Sequence, residues 1–200
     1  MKRSAEDAAK TRVALLEAAL MSFEEKGWQG ATFERVAERA GLTRGAVNHH
    51  FRSKSELLAE ALEWGWSEYG DRLFAQEAAL STAKDRLSAL LAGYVTLLRS
   101  DERFRALAST TVLVAPQALD DSSRKHEALD AWRDQIAAFL REDADVSVPP
   151  ETVAGLVLVL LQGFTVTAVT RPDDLPLPEH LDAATAALVR GLLFSKDVGT

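Results

Sequence analysis

Residues Arg39 to Ser55, RAGLTRGAVNHHFRSKS, gather four basic side chains and two histidines without one acid, in a 200-residue chain of formal net charge -7. The chemistry open to such a set is recognition of nucleic acid. An arginine can grip guanine through two bonds, an asparagine can do the same for adenine, and an alanine methyl can rest on a thymine methyl. At about 100° per residue, Val47 and Phe51 share one side of a helix and would anchor it. The remaining arc carries Arg44, Gly45, Ala46, Asn48 and His49, which are small or hydrogen-bonding and poor material for a buried face. A helix interior loses roughly 1 kcal/mol with glycine instead of alanine; close approach to a DNA backbone would justify that loss at Gly45.

The elements that must position these side chains are punctuated clearly. Gly41 can take the left-handed conformation that closes a helix, and Thr43 can cap the next one, so the stretch reads as helix, short turn and a second helix from Arg44 to Phe51. That is the layout of a helix-turn-helix whose second helix enters a major groove. Thr32 precedes FERVAERA, and Ser53 to Glu56 fit a capping box in which Ser53 and Glu56 satisfy each other's backbone donors. Thr32, Thr43 and Lys54 therefore stand at helix starts, which attract phosphate through free N–H groups. The same threonines can cap without touching phosphate, and a lysine there can be an ordinary solvated charge.

From Thr11 to Leu62 the chain resembles the N-terminal DNA-binding domain of the TetR family of transcriptional regulators. The resemblance is carried by an amphipathic first helix, Gly27 with Trp28, Thr32, the turn ERAGLTRGAV, and the HHF and SKSEL elements. It implies that Arg44, Gly45 and Ala46 face bases and that Thr32, Thr43, His49 and Lys54 hold phosphates. The family usually has a tyrosine, touching phosphate or a base edge, where this chain has Asn48, so an altered contact is implied there. It also implies a dimer in which the last two helices of each copy form a four-helix interface, and an apolar cavity that binds an inducer.

Charge is unevenly divided: residues 1–60 carry +1 and residues 61–200 carry -8. An acidic body discourages loose contact with DNA and leaves binding to a small patch. The chain has no cysteine, which excludes disulfides and thiolate metal sites and fits a reducing cytosol. The polar segment after Met1 contains no apolar signal region. The apolar run Val153 to Val169 is interrupted by Gly155, Gln162, Gly163, Thr165 and Thr167, and reads as a buried helix rather than a membrane span. No nucleophile elbow or phosphate-cradling glycine loop is present, and no two of His49, His50, His126 and His180 share a helix face at metal-ligand spacing. Neither catalysis, a metal nor a cofactor is implied.

The remainder reads as helix throughout. Thr11 to Lys26 places Val13, Leu16, Leu20 and Phe23 on one stripe, and Gly27 stops it. A long helix from Lys54 passes Gly65 and Gly70, where it can bend. Lys84 to Ser100 buries Leu87, Leu90, Leu91, Tyr94, Val95 and Leu98. A helix from Phe104 ends at Pro116, and Gln117 to Ser123, with Asp120 and Asp121, reads as a loop. Lys125 to Glu142 buries Leu129, Trp132, Ile136, Phe139 and Leu140. Pro149-Pro150 opens a helix to Thr170, and the last helix is His180 to Phe194.

The C-terminal layout is similar to repressors of multidrug efflux pumps. Gly155, Val159 and Gly163 lie four residues apart and make a narrow ridge for close helix approach, either at a dimer interface or within one chain. Trp66, Tyr94, Thr111, Trp132, Gln162 and Thr165 are candidates for an effector site, because such pockets are mainly apolar with a few orienting polar groups. Each can equally be core or surface. The expected protein is all-α, with a three-helix helix-turn-helix domain in residues 1–55 and a helical effector-binding and dimerisation domain in 56–200. The expected function is that of a cytoplasmic homodimeric repressor on a palindromic operator in double-stranded DNA, released by a small apolar or amphipathic molecule, without membrane association. The competing reading is a ligand-independent, DNA-associated structural or partner-recruiting protein on the same fold.

Overall fold

Helix α1 runs from Lys2 to Gly30, beginning well ahead of the Thr11 start that apolar periodicity suggests. Its extra turns are polar, and a Glu6–Lys10 pair at 3.1 Å together with several alanines supplies local helix preference that a search for buried faces does not register. A computed structural model describes residues 2–77, 80–119 and 122–194. Among them all regular structure is helical, as expected. The chain forms two compact units, Met1–Ser67 with Arg103–His126, and Glu68–Glu102 with Glu127–Thr200.

The first unit packs α1 against α2 (Phe33–Arg39), and α2 against α3 (Arg44–His50). Its core includes Leu16, Leu20, Phe23, Val36, Val47, Phe51, Leu57 and Leu58, whereas Val13, expected on the same stripe, is 38% exposed at the edge of the buried arc. Gly27 breaks α1 with φ 65°, a conformation that costs L side chains and that glycine takes freely. Gly41 does the same at φ 68°. There the Gly41 N–H donates to the Glu38 carbonyl at 3.0 Å and the Leu42 N–H to the Ala37 carbonyl at 2.8 Å, the two bonds of a Schellman stop.

Helix α4 (Lys54–Glu77) runs without interruption past Gly65 and Gly70. They make room. A Cβ on Gly65 would stand 2.7 Å from Leu107 Cδ1, and one on Gly70 would stand 3.2 Å from Trp132 Nε1. Pro116 does not end its helix either. Helix α6 (Glu102–Ser109) widens into a π-helical turn at Thr110–Val114 and continues as α7 (Ala115–Ala118), with the proline in the first turn of α7. The expected loop is correspondingly shorter. Asp120 and Asp121, assigned to it, and the side chain of His126 lie outside the described residues.

In the second unit α5 (Ala83–Ser100) buries Leu87, Leu90, Leu91, Tyr94, Val95 and Leu98, the set its periodicity indicates. Helices α9 (Pro150–Thr170) and α10 (Pro178–Leu193) pack on it, joined by a 3-10 turn at Pro172–Asp174. Helix α8 (Ser122–Arg141) buries Trp132, Ile136, Phe139 and Leu140, while Leu129 is only half-buried. The expectation that α9 is a buried helix is corrected: one face is buried, but Leu156, Val159 and Val169 are 45%, 63% and 43% exposed. By length and hydropathy alone α9 could cross a membrane. The glycines and threonines that interrupt its sequence do not bring its apolar residues to a single side.

Candidate nucleic-acid interface

Helix α3 is held from beneath and left open above. Val47 and Phe51 are buried at 0% and 1% exposure, and Thr43, Arg44, Gly45, Asn48 and His49 are exposed, with Ala46 half-buried. The Thr43 hydroxyl accepts from the Ala46 N–H at 3.3 Å, and the Thr32 hydroxyl accepts from the Arg35 N–H at 3.4 Å. Both threonines therefore cap their helices. At the other end of α3, Arg12 reaches across from α1: its guanidinium donates to the His50 carbonyl at 3.3 Å, pairs with Glu60 and lies 4.8 Å over the Phe51 ring. Arg12 thus fastens α3 to α1 and α4. Nothing in the spacing singles it out, because its partners are brought together only by folding.

The stretch that is acid-free in sequence is not acid-free in space. Glu34, the second residue of α2, contacts Arg44 with 2.6 Å between Oε1 and Nη1. Its carboxyl is held below the usual range, first by its own backbone N–H, then by the Thr32 hydroxyl and by Arg44. The capping box is also shifted. Ser53 accepts from the Glu56 N–H at 3.1 Å, but the Glu56 carboxylate accepts from Arg52 N–H at 2.6 Å and not from Ser53.

Lys54 is half-buried rather than a solvated charge. Its ammonium donates to the Trp28 carbonyl at 2.5 Å and sits 4.2 Å from the centre of the Trp28 ring, which itself stacks on Phe23. Burial lowers the lysine pKa, yet the carbonyl and the ring face both favour the charged form. One donor is spent on Trp28 and the others stay at the start of α4. His50 titrates below its ordinary range because burial, His49 and Arg12 oppose its charge. His49 is exposed, with its ring edge-on to His50.

The effector candidates separate into three groups. In the first unit the Trp66 indole N–H donates to Thr111 Oγ1 at 2.8 Å, and Thr111 donates to the Leu107 carbonyl at 2.8 Å. In the second unit Tyr94 and Thr165 hydroxyls are 2.8 Å apart, with the Trp132 ring edge-on to Tyr94 at 6.3 Å. Thr165 gives its proton to the Leu161 carbonyl at 2.9 Å, so Tyr94 is the donor of the pair. Burial pushes the Tyr94 phenol well above its usual range. Gln162 joins neither group: it is exposed on the open face of α9 with Val159 and Gly163, and Gly155 is half-buried nearby on that face. A Cβ on either glycine would meet nothing within 4 Å. Among the described residues no cluster of three or more His, Cys, Asp or Glu side chains has the arrangement to hold a metal.

Residues 15–61 match the bacterial regulatory proteins of the tetR family. The HTH-type transcriptional regulator CymR of Pseudomonas putida is 37% identical over 90 residues, covering 45% of this chain and 44% of its own length. The HTH-type transcriptional regulator AcrR of Shigella flexneri is 24% identical over 169 residues, 82% of this chain and 78% of that protein. Among solved structures, the transcriptional regulator FadR of Bacillus subtilis, in complex with stearoyl-CoA, superposes with a TM-score of 0.75 at 18% identity, over 90% of this chain and 96% of that one. The last is a likeness of fold.

Proposed function

We propose that this chain, which belongs to the TetR family of bacterial regulatory proteins, is a cytoplasmic repressor that binds a palindromic operator as a homodimer and is released by a small amphipathic molecule. The observation that carries the DNA reading is helix α3, anchored by the buried side chains of Val47 and Phe51 and capped by Thr43, with Arg44, Gly45, Asn48 and His49 exposed. Arg44, Gly45 and Ala46 read bases in this account, Asn48 touches the DNA beside them at a base edge or a phosphate, and Thr32, Thr43, His49 and Lys54 hold phosphates. Such a protein does no covalent chemistry.

Residues 1–55 serve as the DNA-binding domain and 56–200 as the effector and dimer domain. The open face of α9, with Gly155, Val159, Gln162 and Gly163, is covered by a second copy, because two reading helices about one DNA turn apart are what specific affinity generally requires. A dimer seam also accounts for the apolar exposure of α9 without a membrane. For the effector, Tyr94, Trp132 and Thr165 form the best-supported site, with Trp66 and Thr111 as a second polar pair. A ligand acceptor could take the Tyr94 proton in place of Thr165. The stearoyl-CoA complex of the structurally similar FadR makes acyl-CoA thioesters the first ligands to try.

The test is operator selection from random DNA. Lys54→Ala weakens binding to all sequences alike and flattens the salt dependence by about one unit. Arg44→Ala costs roughly 1–3 kcal/mol, concentrated at one base position. Uniform loss in both variants refutes the base-reading role, and an operator complex unmoved by every acyl-CoA and amphipathic compound titrated into it favours the ligand-independent alternative.

A further inference from the structure

We propose that Glu34 is a specificity-determining residue of the DNA-reading face: by pairing with Arg44 it directs that guanidinium to a neutral base edge and away from phosphate. The inference rests on Arg44 being a base reader. Glu34 and Arg44 belong to different helices, α2 and α3, and meet at their N-terminal ends. The Glu34 carboxyl is held below its usual range by its own backbone N–H, by the Thr32 hydroxyl and by Arg44.

Both side chains are more than half exposed, at 55% for Glu34 and 64% for Arg44. Exposed ion pairs add little to folding; an acid in the first turn of α2 favours that helix start, but the pairing with Arg44 adds little beyond it. The Glu34 charge acts on what Arg44 can bind. A bare guanidinium is attracted to any phosphate, which carries no sequence information. One that already holds a carboxylate through Nη1 forms a nearly neutral pair, and a phosphate brought beside it meets the Glu34 charge. Guanine O6 and N7 are uncharged acceptors and meet no such repulsion. The Nε and Nη2 donors remain for a two-point contact with them. Glu34 thereby lowers affinity for all DNA and raises the ratio between the right sequence and the rest.

Two substitutions separate charge from position. Glu34→Gln keeps the length of the side chain and removes the charge. Affinity of the full chain for random-sequence duplex should rise, its log–log salt slope should steepen by about one unit, and preference at the base position assigned by Arg44→Ala should fall about tenfold. Glu34→Asp keeps the charge but shortens the reach. It should leave affinity for random duplex at the wild-type level while the same base preference falls. If Arg44→Ala erases a base preference that Glu34→Gln leaves intact together with the salt slope, Glu34 has no such role. If Arg44→Ala shows no position-specific effect, the base-reading assignment itself has failed, and the Glu34 inference fails with it on that separate ground.

Discussion

Gly45 shows how a single residue divides folding from function. It is in the first turn of α3, and an added Cβ would lie 3.6 Å from Thr43 Oγ1, an ordinary contact. Nothing inside the fold requires glycine there. Gly45→Ala should therefore leave the melting temperature unchanged or raise it, by up to about 1 kcal/mol of stability, while operator affinity drops because the extra methyl separates α3 from DNA. Thermal melting and operator titration of one preparation check both halves. A variant that binds as tightly as the parent would mean that α3 never comes close enough to the DNA for a methyl to matter. Lys54 makes the opposite point. Its charge serves twice, on Trp28 within the fold and, in the proposed complex, on phosphate, so its loss weakens binding by two routes.

Between helices, the contact of α5 with α9 turns on one buried hydroxyl pair. The Thr165 proton is committed to the Leu161 carbonyl, and the Tyr94 proton goes to Thr165. Deleting the donor differs from deleting the acceptor. Tyr94→Phe forfeits the hydrogen bond to Thr165, about 1 kcal/mol, whereas Thr165→Val takes this acceptor from a buried donor and should cost more, about 1–3 kcal/mol. The double variant should be milder than Thr165→Val alone. Denaturant midpoints at constant m-value decide it, and equal costs for the two single variants would show that the phenol finds another acceptor. In the other unit the π-helical turn at Thr110–Val114 holds Thr111 against the Trp66 indole, and such turns occur frequently at functional sites.

Across the whole molecule, the open stripe of α9 is where assembly is tested without disturbing the protomer. Gly163→Leu adds a side chain into space that the chain itself leaves empty, and leucine favours helix over glycine. The protomer should fold at least as well, yet close approach of a second α9 is blocked. Sedimentation should find a dimer for the parent and a monomer for Gly163→Leu, with operator affinity lost in parallel. A monomeric parent at micromolar concentration would overturn the assembly proposal.

Helical punctuation was legible because it depends on neighbours in sequence. Gly27 breaks α1 and Gly41 closes α2, Thr32 and Thr43 cap, and α5 buries the face that its periodicity selects, since φ, ψ and side-chain direction follow from local rules. The α1 start, the α7 extension past Pro116 and the half-open α9 were not legible by the same route. In each case helix preference or proline position allowed more helix than the apolar pattern required, or burial depended on elements far away in sequence. The candidate DNA face shows the same division. Which residues could touch DNA is visible in Arg39 to Ser55, but only the tertiary structure put Glu34 on Arg44, Trp28 under Lys54 and Arg12 behind α3, because charge pairing across helices is set by their packing and not by spacing along the chain.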